Sequence, residues 1–195
     1  LFDVVTDPIM GALADRTQSR WGTYRPWLIF GAIPFGLVFA LLLLTPDFSS
    51  IAAKRVWAYS LYLLMMAGYT AVNVPYGSLL GVMTADDNEK NKFSSYRIVG
   101  AYAVGFITLL SFPYLQKMVG GTQAHQYSVL GALFGLVAAA MTLLCGLCTR
   151  ERLKPVRAEK YSMKQFVDLF KNKPWLILTL TGITTNFFNG FRYAV

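Results

Sequence analysis

The chain opens LFDVVTDPIMGALADRTQSRWGTYRPW, and two carboxylates stand inside its first apolar stretch. Asp3 and Asp7 are four residues apart, with Thr6 between them and Leu, Phe, Val, Ile and Met around them. On a helix, positions three and four apart share a face. Three oxygen-bearing side chains therefore point the same way, within an arc of ~100°. Two close carboxylates in a low-dielectric setting cannot both stay ionised without compensation. Either one takes a proton or a cation sits between them, and an all-oxygen set suits a hard cation, with Na⁺ the monovalent candidate. The competing structural reading pairs one acid with an Arg on another helix, which explains one acid more readily than two. Pro8 follows directly and frees a backbone carbonyl near the same point.

Two further polar sets share this pattern. In GYTAVNVPYGS, Thr70 and Asn73 are three apart and share a face, with Tyr76 and Gly77 a turn further on and Pro75 freeing another carbonyl. Ser94, Ser95, Tyr96 and Arg97 form the third set. Arg97 fits either a snorkelling anchor at a membrane boundary or a fork of donors aimed into a cavity.

The elements that carry these residues are read from composition. The chain is 55% hydrophobic and only 14% charged, against about 25% charged in average soluble domains. Pro26–Pro46, Val56–Ala85, Ile98–Gln116, Gln126–Thr149 and Pro174–Gly190 are free of charged residues. About 20 apolar residues cross a bilayer, so with the opening stretch the sequence predicts six membrane segments of an all-α polytopic protein. Taking Asp15 as the end of the opening helix, Asp7 lies ~12 Å and Asp3 ~18 Å deeper, near the midplane of a hydrocarbon layer ~30 Å thick. Midplane acids are costly and mark a cavity or a partner.

The net charge of +8 is distributed by topology. Arg16, Arg20 and Arg25 follow the first segment, Lys90, Lys92 and Arg97 the third, and a long basic run from Arg150 to Lys173 the fifth. The loops between carry few Lys or Arg, which is the positive-inside pattern. Loops 15–25, 86–97 and 150–173 are thus expected to be cytoplasmic, and no nucleic-acid partner is needed to explain the charge. In the last of these, Ser162 and Gln165 fit a capping box. Phe166, Leu169 and Phe170 then form an apolar stripe, expected as a short amphipathic helix either on the membrane surface or packed under the bundle. Cys145 and Cys148 read as small buried thiols, since no second pair accompanies them. The start without Met inside an apolar stretch, and the stop inside another, read as an internal piece of a longer polypeptide whose remainder is a partner.

The motifs carry a resemblance. DPIMGALADRTQSRWGTYRPW strongly resembles the second-helix signature of the glycoside–pentoside–hexuronide:cation symporters, within the major facilitator superfamily. GALADRTQSR also resembles that superfamily's Gly-x-x-x-Asp-Arg loop motif, on Gly11, Asp15, Arg16 and Arg20, and GYTAVNVPYGS resembles the symporters' fourth helix. The resemblance implies a major facilitator-type bundle, with this chain covering about helices 2 to 7 of 12. Residues 1–149 would belong to the N-terminal half, 150–173 to the connector and 174–195 to the start of the C-terminal half. It implies a coupling cation, Na⁺ or H⁺, at Asp3, Thr6, Asp7 and Thr70, with Asp3 and Asp7 as metal ligands if the ion is Na⁺. A sugar or glycoside would meet Asn73, Tyr76, Gly77 and Arg97. Gly11, Asp15, Arg16 and Arg20 would form a conformational latch.

Three positions depart from the family's melibiose permease. Thr6 replaces an Asn, Asn73 an Asp and Gly77 a Trp, so a pentoside, xyloside or hexuronide is as well accommodated as an α-galactoside. The expected protein is a non-enzymatic secondary symporter of a bacterial inner membrane, without a cofactor beyond its coupling ion. Two alternatives stand beside it. One is a cation-coupled lysolipid-type carrier of the same fold. The other is a membrane prenyltransferase, for which Asp86 and Asp87 are the candidates for a second acidic motif.

Overall fold

The computed structural model describes residues 2–44, 46, 50–153 and 171–194. The Ser162–Gln165 capping box and the Phe166, Leu169 and Phe170 stripe lie outside the described residues. The chain forms two compact units, Leu1–Pro155 and Val156–Val195.

The first unit holds five helices: α1 (Phe2–Arg16), α2 (Arg25–Leu43), α3 (Ile51–Met83), α4 (Asp87–Val119) and α5 (Gln123–Cys148). Of these, α2, α4 and α5 are long and apolar enough to cross a membrane. Consecutive helices reverse direction, so α1 ends, α2 begins, α3 ends, α4 begins and α5 ends at one face, where Arg16, Arg20 and Arg25 lie. This face is called the basic end below.

The most extensive contact in the unit is between α2 and α5, followed by α2 with α3 and α1 with α3. The α2–α5 seam is built on small residues. A Cβ placed on Gly36 would strike the Gly135 carbonyl and lie 2.6 Å from Ala139 Cβ, and one on Gly131 would lie 2.6 Å from Leu43 Cβ. Gly131 and Gly135 are spaced four apart, as are Ala32, Gly36 and Ala40 across the seam. In a membrane, helices gain little from hydrophobic exclusion and associate by close backbone approach through such small residues. Leu28 and Leu130 are both buried, towards opposite ends of this seam.

At the basic end, Met10 and Ala14 of α1 pack with Tyr24, Leu79 and Val82, and Trp27, Ala71, Val74 and Met83 close around them. The connection after the third segment differs from its sequence reading. Residues 86–97, expected as a loop, are helical from Asp87 onwards. The Asp86 carboxylate accepts a hydrogen bond from Asn88 N at 2.9 Å and starts the helix, as N-cap aspartates do. The Thr84 hydroxyl donates to Glu89 Oε2 at 2.6 Å across the same turn.

The second unit contains one described helix, α6 (Lys173–Ala194). Its Thr181, Thr184 and Thr185 hydroxyls donate to carbonyls four residues earlier at 2.8–2.9 Å. Such back-bonding satisfies a hydroxyl within an apolar helix.

Candidate functional site

The α1–α3 interface carries the first set of candidate residues. Gly11 faces Val74, since a Cβ at Gly11 would sit 3.9 Å from Val74 Cγ1. The two helices run in the same direction, so four residues back along each puts Thr70 level with Asp7, and Asp3 lies a further turn, ~6 Å, away. Thr70 is 3% exposed, Asp3 and Thr6 are half-buried and Asp7 is exposed. Among the described residues, Asp3 Oδ1 and Thr70 Oγ1 are the buried side-chain polar atoms that lack a hydrogen-bond partner. Leaving a buried oxygen unsatisfied costs about 1–3 kcal/mol, and more when it is charged. Native structures hold few such groups, and each needs a reason. Pro75, fully buried in α3, has no N–H to offer the Ala71 carbonyl, which leaves a further oxygen beside Thr70. The four candidate cation residues thus divide into two buried oxygens on facing helices, the half-buried Thr6 and the exposed Asp7.

The second set is only partly brought together. A cavity of about 320 Å³ opens between α3, α4 and α5 towards the basic end, and Tyr76 and Arg97 both line it. The Arg97 guanidinium carbon lies 5.7 Å from the centre of the Tyr76 ring, within the range of a cation–π contact. Asn73 and Gly77 are exposed on α3 and are not among the lining residues. Phe93, Tyr96 and Cys145 are. Cys145 and Cys148 are free thiols, the first half-buried and the second exposed.

The third set, at the basic end, is richer than its sequence reading. Asp15 Oδ1 accepts from the Tyr24 hydroxyl at 2.7 Å. Arg20 lies with its guanidinium carbon 5.0 Å from the Trp21 ring centre, and Trp21 stacks on Phe30. Arg16 is exposed in the last turn of α1. The central group is one that sequence reasoning missed. The Glu151 carboxylate accepts from the backbone N–H groups of Thr23, Tyr24 and Arg25 at 2.8, 2.8 and 3.0 Å. Tyr24 is the N-cap of α2 and makes no side-chain cap bond of its own, so a distant carboxylate does that work. Gly22 makes the approach possible: its φ is +110°, and a Cβ there would lie 2.6 Å from Glu151 Oε2.

Arg25 returns the contact. Its Nε donates to the Gly146 carbonyl at 2.9 Å and its Nη2 to the Leu147 carbonyl at 3.2 Å, which satisfies the orphan carbonyls at the end of α5. Arg152 N and Leu153 N both donate to Val82 O, tying the same segment to the end of α3. The signal in the sequence was Glu151 itself, the single acid between Arg150 and Arg157.

Among the described residues, Asp86 and Asp87, the candidates for the second acidic motif of a prenyltransferase, lie at the start of α4 and not within a helix beside Asp3 and Asp7. Asp86 caps α4, and Asp87 pairs with Lys90 at 3.0 Å on its exposed first turns.

The family model described as MFS/sugar transport protein matches residues 1–195. The chain belongs to this family. Its relatives include the Escherichia coli inner membrane symporter YicJ, 37% identical over 93% of this chain and 39% of the relative. A putative glycoside/cation symporter, YagG, from the same organism is 37% identical over 91% of this chain and 39% of that protein. The isoprimeverose transporter of Lactiplantibacillus pentosus is 30% identical over 91% and 38%. The chain therefore spans about 40% of the length of the curated relatives it matches. These similarities agree with the glycoside–pentoside–hexuronide:cation symporter resemblance, and the helices are an all-α portion of the major facilitator fold.

Proposed function

We propose that the whole protein is a secondary symporter that couples Na⁺ or H⁺ entry to uptake of a glycoside, pentoside or hexuronide across a bacterial inner membrane. The observation that carries this reading is the pair of buried, unsatisfied oxygens, Asp3 Oδ1 and Thr70 Oγ1, on facing helices of the unit. A coupling cation would supply what both lack. Thr6 and Asp7 complete the oxygen set in this reading, with Asp7 reaching in from the exposed side of α1. The names of the relatives, symporters and an isoprimeverose transporter, support a sugar cargo, which Arg97 and Tyr76 would contact from the cavity and Asn73 and Gly77 from the open face of α3.

Coupling follows from charge. A cation that neutralises Asp3 and Asp7 stabilises the loaded cavity and raises sugar affinity, and sugar must raise cation affinity by the same factor. Residues 1–149, as part of an N-terminal half, then rock against a C-terminal half that begins near residue 174, joined by the 150–173 connector, about a site at mid-membrane depth. The basic end faces the cytoplasm, where Gly11, Asp15, Arg16 and Arg20, with Glu151, hold the latch.

Uptake of a radiolabelled sugar panel by the full-length protein, with Na⁺ and pH varied, tests the reading. Asp3→Cys and Thr70→Ala are expected to abolish concentrative, cation-driven uptake, and Thr70→Ser to retain it. Full cation-driven accumulation by Asp3→Cys would remove these oxygens from the coupling site.

A further inference from the structure

We propose that Cys145 and Cys148 form a thiol–disulfide switch, oxidised by a low-molecular-weight disulfide, whose closure releases the hold of Arg25 on the end of α5. The two free thiols stand three residues apart in the last turn of α5. Cys148 is exposed, and half-buried Cys145 lines the cavity between α3, α4 and α5 beside Met83 and Thr149. A small reagent therefore reaches one sulfur directly and the other through open space.

The link to Arg25 is geometric. Helix dimensions put Cα atoms three residues apart at ~5 Å, inside the range of about 4.4–6.8 Å that a disulfide spans. On an intact helix the corresponding Cβ atoms are about 5–6 Å apart, against about 3.5–4.5 Å in a disulfide. Closing the bond must draw them together by roughly 1–2 Å and distort the turn between. That turn is Gly146 and Leu147, and theirs are the two carbonyls that Arg25 holds, at 2.9 Å from Nε and 3.2 Å from Nη2. The Cys145 carbonyl accepts from both the backbone N–H and the hydroxyl of Thr149, at 3.1 and 2.6 Å, which fixes the turn from its other side. Gly146 is buried against α2, where a Cβ would lie 2.8 Å from Ile29 Cγ1, so the turn cannot shift while α2 stays seated. The turn with Arg25 bound and the disulfide are thus competing states of one segment. Their coupling is reciprocal: Arg25 keeps the thiols reduced, and the disulfide frees Arg25.

The chemistry balances as two exchanges. Cys148, as thiolate, attacks one sulfur of glutathione disulfide; a mixed disulfide forms and one glutathione leaves. Cys145, as thiolate, then attacks Cys148 Sγ; the Cys145–Cys148 bond forms and the second glutathione leaves. The two thiol protons end on the two glutathione molecules, and the cysteine pair loses the two electrons that the oxidant gains. Under the symporter reading, the freed Arg25 slackens the start of α2 beside the Glu151 contact and with it the latch. The thiol chemistry itself depends on neither cargo nor coupling ion.

The test equilibrates the full-length protein in mild detergent with glutathione buffers of graded ratio, followed by iodoacetamide and trypsin. Both thiols fall in one tryptic peptide, residues 118–150, so the disulfide appears as an unalkylated peptide two hydrogens lighter than the dithiol. Arg25→Ala is expected to shift the midpoint ratio towards the disulfide by ~10-fold and Arg25→Lys by less. Asp86→Ala, which loosens the start of α4 and leaves α5 untouched, should shift it by less than about twofold. A second measurement needs no Arg25 variant to fold: the oxidised wild type should unfold at a lower denaturant midpoint than the reduced protein, and Cys148→Ser should lose that difference. Absence of the Cys145–Cys148 disulfide at every ratio, equal shifts in Arg25→Ala and Asp86→Ala, or equal stability of the oxidised and reduced wild type would each overturn the switch. Uptake is not the readout, so each of these results leaves the symporter reading intact.

Discussion

Removing the Glu151 carboxylate is the sharpest perturbation of the basic end. Three consecutive N–H groups donate to it at 2.8–3.0 Å, and all three belong to the first turn of α2 or the residues just before it. Hydrogen bonds to a charged group contribute about 1.5–3 kcal/mol each. A plain sum overstates the effect, because Glu151 is only half-buried and water can reach part of the freed turn. Loss of a single N-cap costs about 0.5–2 kcal/mol. We therefore expect Glu151→Ala to destabilise the unit by ~2–3 kcal/mol and Glu151→Gln, which keeps one acceptor oxygen, by about half as much.

Gly22 supplies an internal control for this estimate. Gly22→Ala places a Cβ against the Glu151 carboxylate and forces a left-handed φ of +110° on a residue with a side chain. In the Glu151→Ala background the collision disappears and only the backbone strain remains, ~1–2 kcal/mol. The two substitutions should therefore be less than additive by about 1 kcal/mol or more. The assay is denaturant or thermal unfolding of the full-length protein in mild detergent, followed by tryptophan fluorescence, to which Trp21 and Trp27 beside the contact contribute. An unchanged midpoint for Glu151→Ala, or strict additivity with Gly22→Ala, would refute the reasoning.

Other outcomes follow from the same contacts. Arg25→Ala removes two bonds to the last carbonyls of α5 and should cost ~1–2 kcal/mol in the same unfolding assay, with Arg25→Lys recovering less than half because a single ammonium cannot hold both carbonyls in the guanidinium geometry. Gly135→Leu inserts a side chain where even a Cβ would strike the Gly36 carbonyl; the α2–α5 seam must part, and monodisperse folded yield on size-exclusion chromatography should fall severalfold, whereas Gly77→Ala, with nothing within 4 Å of its Cβ, should leave it unchanged. Asp86→Ala removes the cap of α4 and should lower stability by ~1 kcal/mol, with Asp86→Asn or Asp86→Ser neutral within a few tenths.

The helices were legible because charge-free runs and membrane thickness leave one solution for the backbone. α2 and α5 match Pro26–Pro46 and Gln126–Thr149 to within a few residues. The error at residues 86–97 arose from reading charge as loop. Lys90 and Lys92 sit on a helix that starts at Asp87, and the cue was the Thr84–Asp86 turn with Asp86 as cap. Helix periodicity placed Asp3, Thr6 and Asp7 within one arc, yet burial separates them, with Asp7 exposed and Asp3 half-buried. That difference depends on where α3 lies, which no single-helix pattern encodes. Tyr76 and Arg97, 21 residues apart in the chain, meet only because α3 and α4 form a hairpin. Glu151 was missed for a related reason: its partners are backbone N–H groups more than 120 residues earlier, and backbone donors leave no mark in side-chain identity.

The seam between α2 and α5 also sets a timetable. Its two glycine faces are about 100 residues apart in the chain, so during synthesis the face of α2 that carries Ala32, Gly36 and Ala40 is made long before its counterpart. At 5–20 residues per second the wait is roughly 5–20 s. Through that interval α2 meets lipid or another helix along a strip with little side-chain bulk, and α3 and α4 must thread into the bilayer without capturing it. The arrival of Gly131 and Gly135 closes the gap, and only then do Arg25 and Glu151, at the two ends of that delay, find each other. The pair therefore marks the moment at which the unit becomes whole, and a nascent chain halted before residue 151 would carry every apolar segment of the unit but not the carboxylate that holds the start of α2.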